Sequence, residues 1–256
     1  MSKILVIPDV HLKPWMFDKA DEIPTSKYDS IICLGDLVDD WGQENNESLY
    51  RETLERVLKF DKDHPDMRWC IGNHDISYRY YLMESGFSLH MAPLVNSYLD
   101  RLEDQAQNRV AIIHNEGLWL FTHAGLTDEW CFRAVDTKDI NDIIDEVNEM
   151  VNRTDDVKNR LWNDLSPIWF RWQEDFGNSA YGVSELYLEN VATGAPLHQC
   201  TGHTPTKKPF EGFMLDPEKP IALSLDTFST FRSGRPVGDQ RFVIINTLDS
   251  TWQYAN

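Results

Sequence analysis

The sequence predicts an α/β fold carrying a helical insertion, and three observations predict it. Over the first 71 residues, short β-rich apolar runs alternate with an amphipathic helical stretch, the pattern of a βαβ unit and a largely parallel sheet. Polar motifs follow those runs directly, as they do where ligands sit at the carboxyl ends of strands. From about residue 128 to 190 the chain changes character, with a helical apolar stripe and then concentrated aromatics.

In chain order, strands are expected at 3–7, 30–34 and 68–71, each ending on a motif. Between the second and third, residues 50–60 place Leu54, Val57 and Leu58 on one helical face. Residues 109–114 and 118–122 read as a hairpin turning at Asn115, Glu116 and Gly117. In the insertion, Ile140, Ile143, Ile144, Val147, Met150 and Val151 recur at helical spacing with acids opposite, and Leu161, Trp162, Ile168, Trp169, Phe170 and Trp172 follow. This segment is expected either to overhang a site or to form a helical layer on a sheet. Strands at 221–225, 242–245 and 251–254 suggest antiparallel structure closing the fold, with 232–239 a Pro/Gly-rich surface loop. The whole chain, 1–256, reads as one domain with an insertion at about 128–190.

Composition narrows the function. The 256 residues are 41% hydrophobic and 12% aromatic, which is globular. Forty-two acidic against 24 basic residues leave a formal charge of -18, which repels phosphate backbones and anionic membranes and counts against nucleic acid as a partner. A small phosphorylated substrate stays compatible, because two bound divalent cations invert the local potential. No apolar run approaches the roughly 20 residues needed to span a bilayer, and the first is too short for a signal peptide. The four cysteines are far apart with no CxxC pair, so a reduced, cytoplasmic protein is expected.

Five motifs carry the chemistry: Asp9-Val10-His11, Gly35-Asp36-Leu37-Val38-Asp39, Gly72-Asn73-His74-Asp75, Thr122-His123-Ala124-Gly125 and Gly202-His203-Thr204-Pro205. Their carboxylates, imidazoles and one amide form a mixed oxygen and nitrogen set suited to divalent metals; manganese is taken first, with iron or zinc as alternatives. Alone, each residue would be ordinary: a capping carboxylate, a buried histidine, a turn asparagine. Together and in register with strand ends, they point to one site. Asp9 and His11, alternate residues after a strand, can turn toward one metal, and Asp36 can bridge to a second that Asn73, His123 and His203 complete.

The order of these motifs resembles the calcineurin-like metallophosphoesterases, nearest the bacterial and phage serine/threonine phosphatase and diadenosine-tetraphosphatase branch. The resemblance implies an α/β/β/α sandwich of two mixed sheets. It implies two divalent metals, one on Asp9, His11 and Asp36, the other on Asp36, Asn73, His123 and His203. It further implies that His74 protonates the leaving oxygen while Asp39 orients its imidazole. The expected reaction is hydrolysis of a phosphomonoester, on a small molecule or a phosphoprotein, by direct attack of a metal-bridging hydroxide. The alternatives are hydrolysis of a nucleotide or dinucleotide polyphosphate, then a phosphodiesterase or nuclease, then a metal-binding scaffold without turnover.

Three departures from the family pattern matter. Leu12 stands where many of these phosphatases have glycine, and Asp40-Trp41-Gly42 replaces an Arg-Gly pair. The missing arginine removes a phosphate clamp; Arg171 is the first candidate to replace it, with Arg79 and Arg232 as alternatives. Pro205 takes the place of a second histidine, which opens a coordination position. Of the remaining histidines, His64 and His90 read as loop residues, while His114 and His198 sit at strand ends where they could support the site.

Overall fold

The computed structural model describes residues 2–81, 83–106, 111–128, 130–131, 136–152, 169, 189–212 and 220–255. Strand β1 (Lys3–Ile7) pairs in parallel with β2 (Ser30–Cys33), and β2 in parallel with β3 (Arg68–Trp69). Helices α1 (Trp15–Asp21) and α2 (Glu47–Asp63) connect them, so the βαβ expectation holds for this half-sheet. Asn46 caps α2, its side-chain oxygen accepting Leu49 N–H at 3.2 Å. Helix α3 (Asn73–Tyr80) starts directly on the third motif, and α4 (Ala92–Ala106) follows.

The expected hairpin forms from β4 (Ala111–His114) and β5 (Trp119–Thr122), antiparallel with Ala111 opposite Thr122. Helix α5 (Ile140–Asn152) comes next, then a short antiparallel pair β6 (Glu189–Asn190) and β7 (Ala195–Pro196), β8 (His198–Thr201) and β9 (Phe210–Gly212). Strands β10 (Ala222–Ser224), β11 (Val243–Asn246) and β12 (Thr251–Tyr254) finish the chain.

Two mixed five-stranded sheets result, ordered β12-β11-β1-β2-β3 and β4-β5-β8-β10-β9. The first is parallel only through β1, β2 and β3, because β11 returns antiparallel beside β1 and carries β12 with it. The expectation of late antiparallel strands is right for those two, whereas β10 lies parallel to β8 and antiparallel to β9. Hydropathy shows how buried a strand is but not which neighbour it joins.

Alternation within β1 sorts the layers. Ile4 and Val6 face the second sheet and pack with Trp119, Phe121, Cys200 and Leu223. Leu5 and Ile7 face the other way, into a core with Phe17, Leu54, Val57, Tyr98 and Leu99 of the helices. On the far side, Ile140, Ile143, Ile144, Val147 and Met150 of α5 pack with Ala111 and Leu120 of the second sheet. The architecture is therefore the α/β/β/α sandwich. The stripe predicted around residues 140–151 covers this sheet; most of the remainder of 128–190, including the aromatic run except Trp169, lies outside the described residues.

His198 opens β8, at the opposite end of the strand from His203. It stacks on Trp119 with ring centroids 4.8 Å apart, so it belongs to the core between the sheets rather than to the site. Ile221 N–H donates to its Nδ1 at 2.8 Å, which leaves the ring proton on Nε2, facing Ser250 Oγ at 3.0 Å. Burial lowers its pKa from 6.5 to about 4. A depressed histidine stabilises the fold above the unfolded pKa, so that contribution is lost as pH falls from 6.5 toward 4. Chemical denaturation across this window should show wild type losing about 1–2 kcal/mol relative to His198→Asn. Parallel pH curves for the two proteins would rule the contribution out.

Candidate metal centre

Five loops meet at the carboxyl edge of β1, β2, β3, β5 and β8. They are stitched by backbone bonds: Val10 and His11 N–H both donate to Asp36 O (3.1 and 2.7 Å), and Gly202 N–H donates to His123 O (2.8 Å). Asp75 ties two motifs together, accepting Leu37 N–H at 2.8 Å and Gly72 N–H at 3.0 Å, a role the sequence reading did not assign. His11, Asp36, Asp39 and His203 all take positive φ (45°, 50°, 65° and 66°). The left-handed region costs an L-residue roughly 1–2 kcal/mol, and four such residues in one edge mark a place where geometry serves function.

The candidate ligands converge. His123 Nε2 lies 2.8 Å from Asn73 Oδ1, 3.1 Å from His203 Nδ1 and 3.3 Å from Asp36 Oδ2. On the other side of Asp36, His11 Nε2 is 3.6 Å from Oδ2. Among the described residues two donor groups each lie within 4.8 Å, His11 with Asp36 and His74, and Asp36 with His123 and His203, so Asp36 is common to both. Asp9 is in neither group, although it lines the same edge: Oδ2 accepts His203 N–H at 2.7 Å.

The surroundings orient these donors. His123 Nδ1–H donates to Leu34 O at 2.9 Å and His11 Nδ1–H to Asp39 O at 3.0 Å, which turns both Nε2 atoms inward. Asp9 Oδ1 is buried with no hydrogen-bond partner. An unpartnered buried carboxylate oxygen and two imidazole nitrogens 3.1 Å apart fit a cation. Glycines make room: a Cβ on Gly72 would lie 2.0 Å from Asp36 Oδ1, and one on Gly202 1.9 Å from Asp9 Oδ1.

The electrostatics follow from crowding. Burial would raise Asp36, but His123 and then His74 hold it well below the usual carboxylate range. Burial lowers His123, yet Asp36 raises it to about 10. Burial and then Asp226 raise Asp9, outweighing the opposing charge of His123.

His74 lines the same cavity as His11, Asp36, Asn73 and His203. Its Nδ1 is 3.1 Å from Asp39 Oδ2. Burial lowers its pKa, but Asp36 and the bond to Asp39 outweigh that and raise it to about 9, which favours the protonated ring. Asp39 Oδ1 also accepts two buried phenols, Tyr50 and Tyr78, which no sequence motif marks.

Arg171 lies outside the described residues. Arg79 pairs with Asp100 at 2.5 Å. Arg232 stacks its guanidinium 4.5 Å over the ring of Trp41, and Trp41 and Thr230 form part of the cavity wall.

Comparison with known proteins agrees with this geometry. The family model for calcineurin-like phosphoesterases matches residues 2–207, and the chain belongs to that family. It is accordingly a metal-dependent phosphoesterase, a hydrolase. No curated protein sequence matches it. Its fold is similar to a cold-active protein-tyrosine phosphatase of a psychrophilic Shewanella, at 16% identity and a TM-score of 0.54, covering 100% of this chain and 81% of the other. A serine/threonine phosphatase from Saccharomyces cerevisiae is similar at 12% identity and a TM-score of 0.52, covering 96% and 73%.

Proposed function

We propose that the chain is a single-domain phosphatase, residues 1–256 with an insertion at about 128–190, that hydrolyses a phosphomonoester by direct attack of water at phosphorus. The observation that carries the reading is the convergence of separate loops on Asp36, with His11 and His123 anchored through Nδ1 so that Nε2 faces it. Asp9, His11 and Asp36 would hold one divalent ion, and Asp36, Asn73, His123 and His203 the other. When bound, the ions acidify the attacking water and neutralise charge on the phosphoryl group.

The chain's own residues do the rest. Asp39 holds His74 through Nδ1 and leaves its Nε2–H for the departing oxygen, which takes the proton as the P–O bond breaks. Arg171 and Arg232 are the candidates for holding the rest of the substrate. Manganese is the first ion to try, and the four free, buried cysteines suit the reducing cytoplasm. No described helix is long and apolar enough to cross a membrane.

A second reading, hydrolysis of a nucleotide or dinucleotide polyphosphate, is favoured by Trp41. It is 37% exposed on the cavity wall beside Arg232, where a base could stack and a distal phosphate pair. The test is turnover of p-nitrophenyl phosphate, its bis ester and a diadenosine polyphosphate by metal-stripped protein reloaded with manganese. The monoester should be preferred, with Arg171→Ala or Arg232→Ala raising KM. Preference for the bis ester or the polyphosphate would overturn the monoester reading. Two bound ions without turnover of any substrate would make the chain a scaffold.

A further inference from the structure

We propose that Tyr50 and Tyr78 are positioning residues for proton delivery to the leaving group, acting through Asp39; this rests on His74 as general acid. Asp39 is 1% exposed and both its oxygens are used. Oδ2 faces His74 Nδ1 at 3.1 Å, while Oδ1 accepts Tyr50 O–H at 2.7 Å and Tyr78 O–H at 2.5 Å. The phenols come from separate helices, α2 and α3, and their oxygens are 3.3 Å apart. Ser88 N–H donates to the Tyr78 oxygen at 3.0 Å, which turns the Tyr78 proton toward Asp39. Burial, and after it the charge of Asp39, raises both phenols, so they are neutral donors.

The geometry gives this pair a task. A carboxylate with one bare oxygen can turn about Cβ–Cγ and exchange the oxygen that holds the imidazole. Two donors on Oδ1 prevent that exchange, so Oδ2 alone meets His74 and the imidazole plane stays fixed. Both tyrosines are 0% exposed and Phe87 packs 4.6 Å from the Tyr78 ring, so the donors themselves cannot swing away. In the reaction, oxygen of water bonds to phosphorus, one water proton passes to solvent, and the bond from phosphorus to the leaving oxygen breaks. The leaving oxygen keeps that electron pair and takes the Nε2 proton. His74 keeps its Nδ1 proton on Asp39 and recovers the other from solvent.

The experiment compares kcat of the manganese enzyme on phenyl phosphate, a poor leaving group, and dinitrophenyl phosphate, a good one. Tyr50→Phe and Tyr78→Phe should each slow phenyl phosphate about 10-fold, and the double variant about 100-fold, with dinitrophenyl phosphate within about twofold of wild type. Equal losses on both esters, or none on either, would overturn the positioning role. His74→Asn is the reference. If it too affects both esters equally, the general-acid reading has failed; if it is selective and the tyrosine variants are not, only the tyrosine role has failed. A second readout needs no turnover: the low-field proton resonance of His74 Nδ1–H in nitrogen-labelled, metal-free protein. It should broaden or vanish in the double variant as in Asp39→Asn, and its persistence unchanged would overturn the proposal. Tyr78→Phe strips Ser88 N–H of its partner, so Tyr50→Phe carries the test if Tyr78→Phe folds poorly.

Discussion

Asp36→Asn is expected to lower kcat/KM on the order of 1,000-fold and to cut bound manganese from about two ions per chain to one or none. Asp36 is the residue common to both donor groups, with His11 and His74 on one side and His123 and His203 on the other. The amide keeps the shape and can still accept His74 N–H, now at 2.9 Å on Oδ1, so the loop is retained. What disappears is the anionic oxygen that would face both ions in the proposed arrangement. Metal content after dialysis, read beside turnover, makes the check. A variant that keeps two ions and its full rate would remove Asp36 from the bridging position.

Gly202→Ala is expected to cost activity about 100-fold and stability about 1–3 kcal/mol. The new Cβ would stand 1.9 Å from Asp9 Oδ1 and 3.0 Å from its Cγ. Asp9 cannot retreat cheaply, because His203 N–H holds its other oxygen at 2.7 Å. Movement of either group displaces two candidate ligands at once. Gly194→Ala supplies the comparison: its φ of 71° makes alanine strained, but nothing lies within 4 Å of the added Cβ. That variant should lose about 1 kcal/mol and no activity. If Gly202→Ala behaves like Gly194→Ala, the close approach to Asp9 has no catalytic meaning.

The strands that carry the first three motifs were legible to within a residue or two, since 3–7, 30–34 and 68–71 correspond to β1, β2 and β3, whereas no strand was expected at β8. Each is a run of apolar residues cut off by a glycine or an aspartate, and that contrast is local. The parallel order of the first three strands was legible too, because a helix intervenes between β2 and β3 and leaves room for a crossover. The partners of β10 and β11 were not, since pairing depends on which edge is open when the chain returns. Nor were Tyr50 and Tyr78 legible as partners of Asp39. Both occupy buried helical positions, and an aromatic there reads as core; its hydroxyl acquires meaning only from a carboxylate 11 or 39 residues away.

By itself the sequence singled out Asp9, His11, Asp36, Asn73, His123 and His203 as candidate ligands, because their motifs follow apolar runs and the end of such a run is a local property. It also determined the departures, Asp40-Trp41-Gly42 for an Arg-Gly pair and Pro205 for a histidine. The tertiary structure alone decided that Asp36 stands between two donor groups, that Leu34 and Asp39 carbonyls anchor the histidine rings through Nδ1, and that Arg232 lies over Trp41. The physical reason is range. Backbone propensity and burial act over a few residues, whereas a hydrogen bond such as that from His203 to Asp9, 194 residues apart, exists only once two sheets have packed face to face.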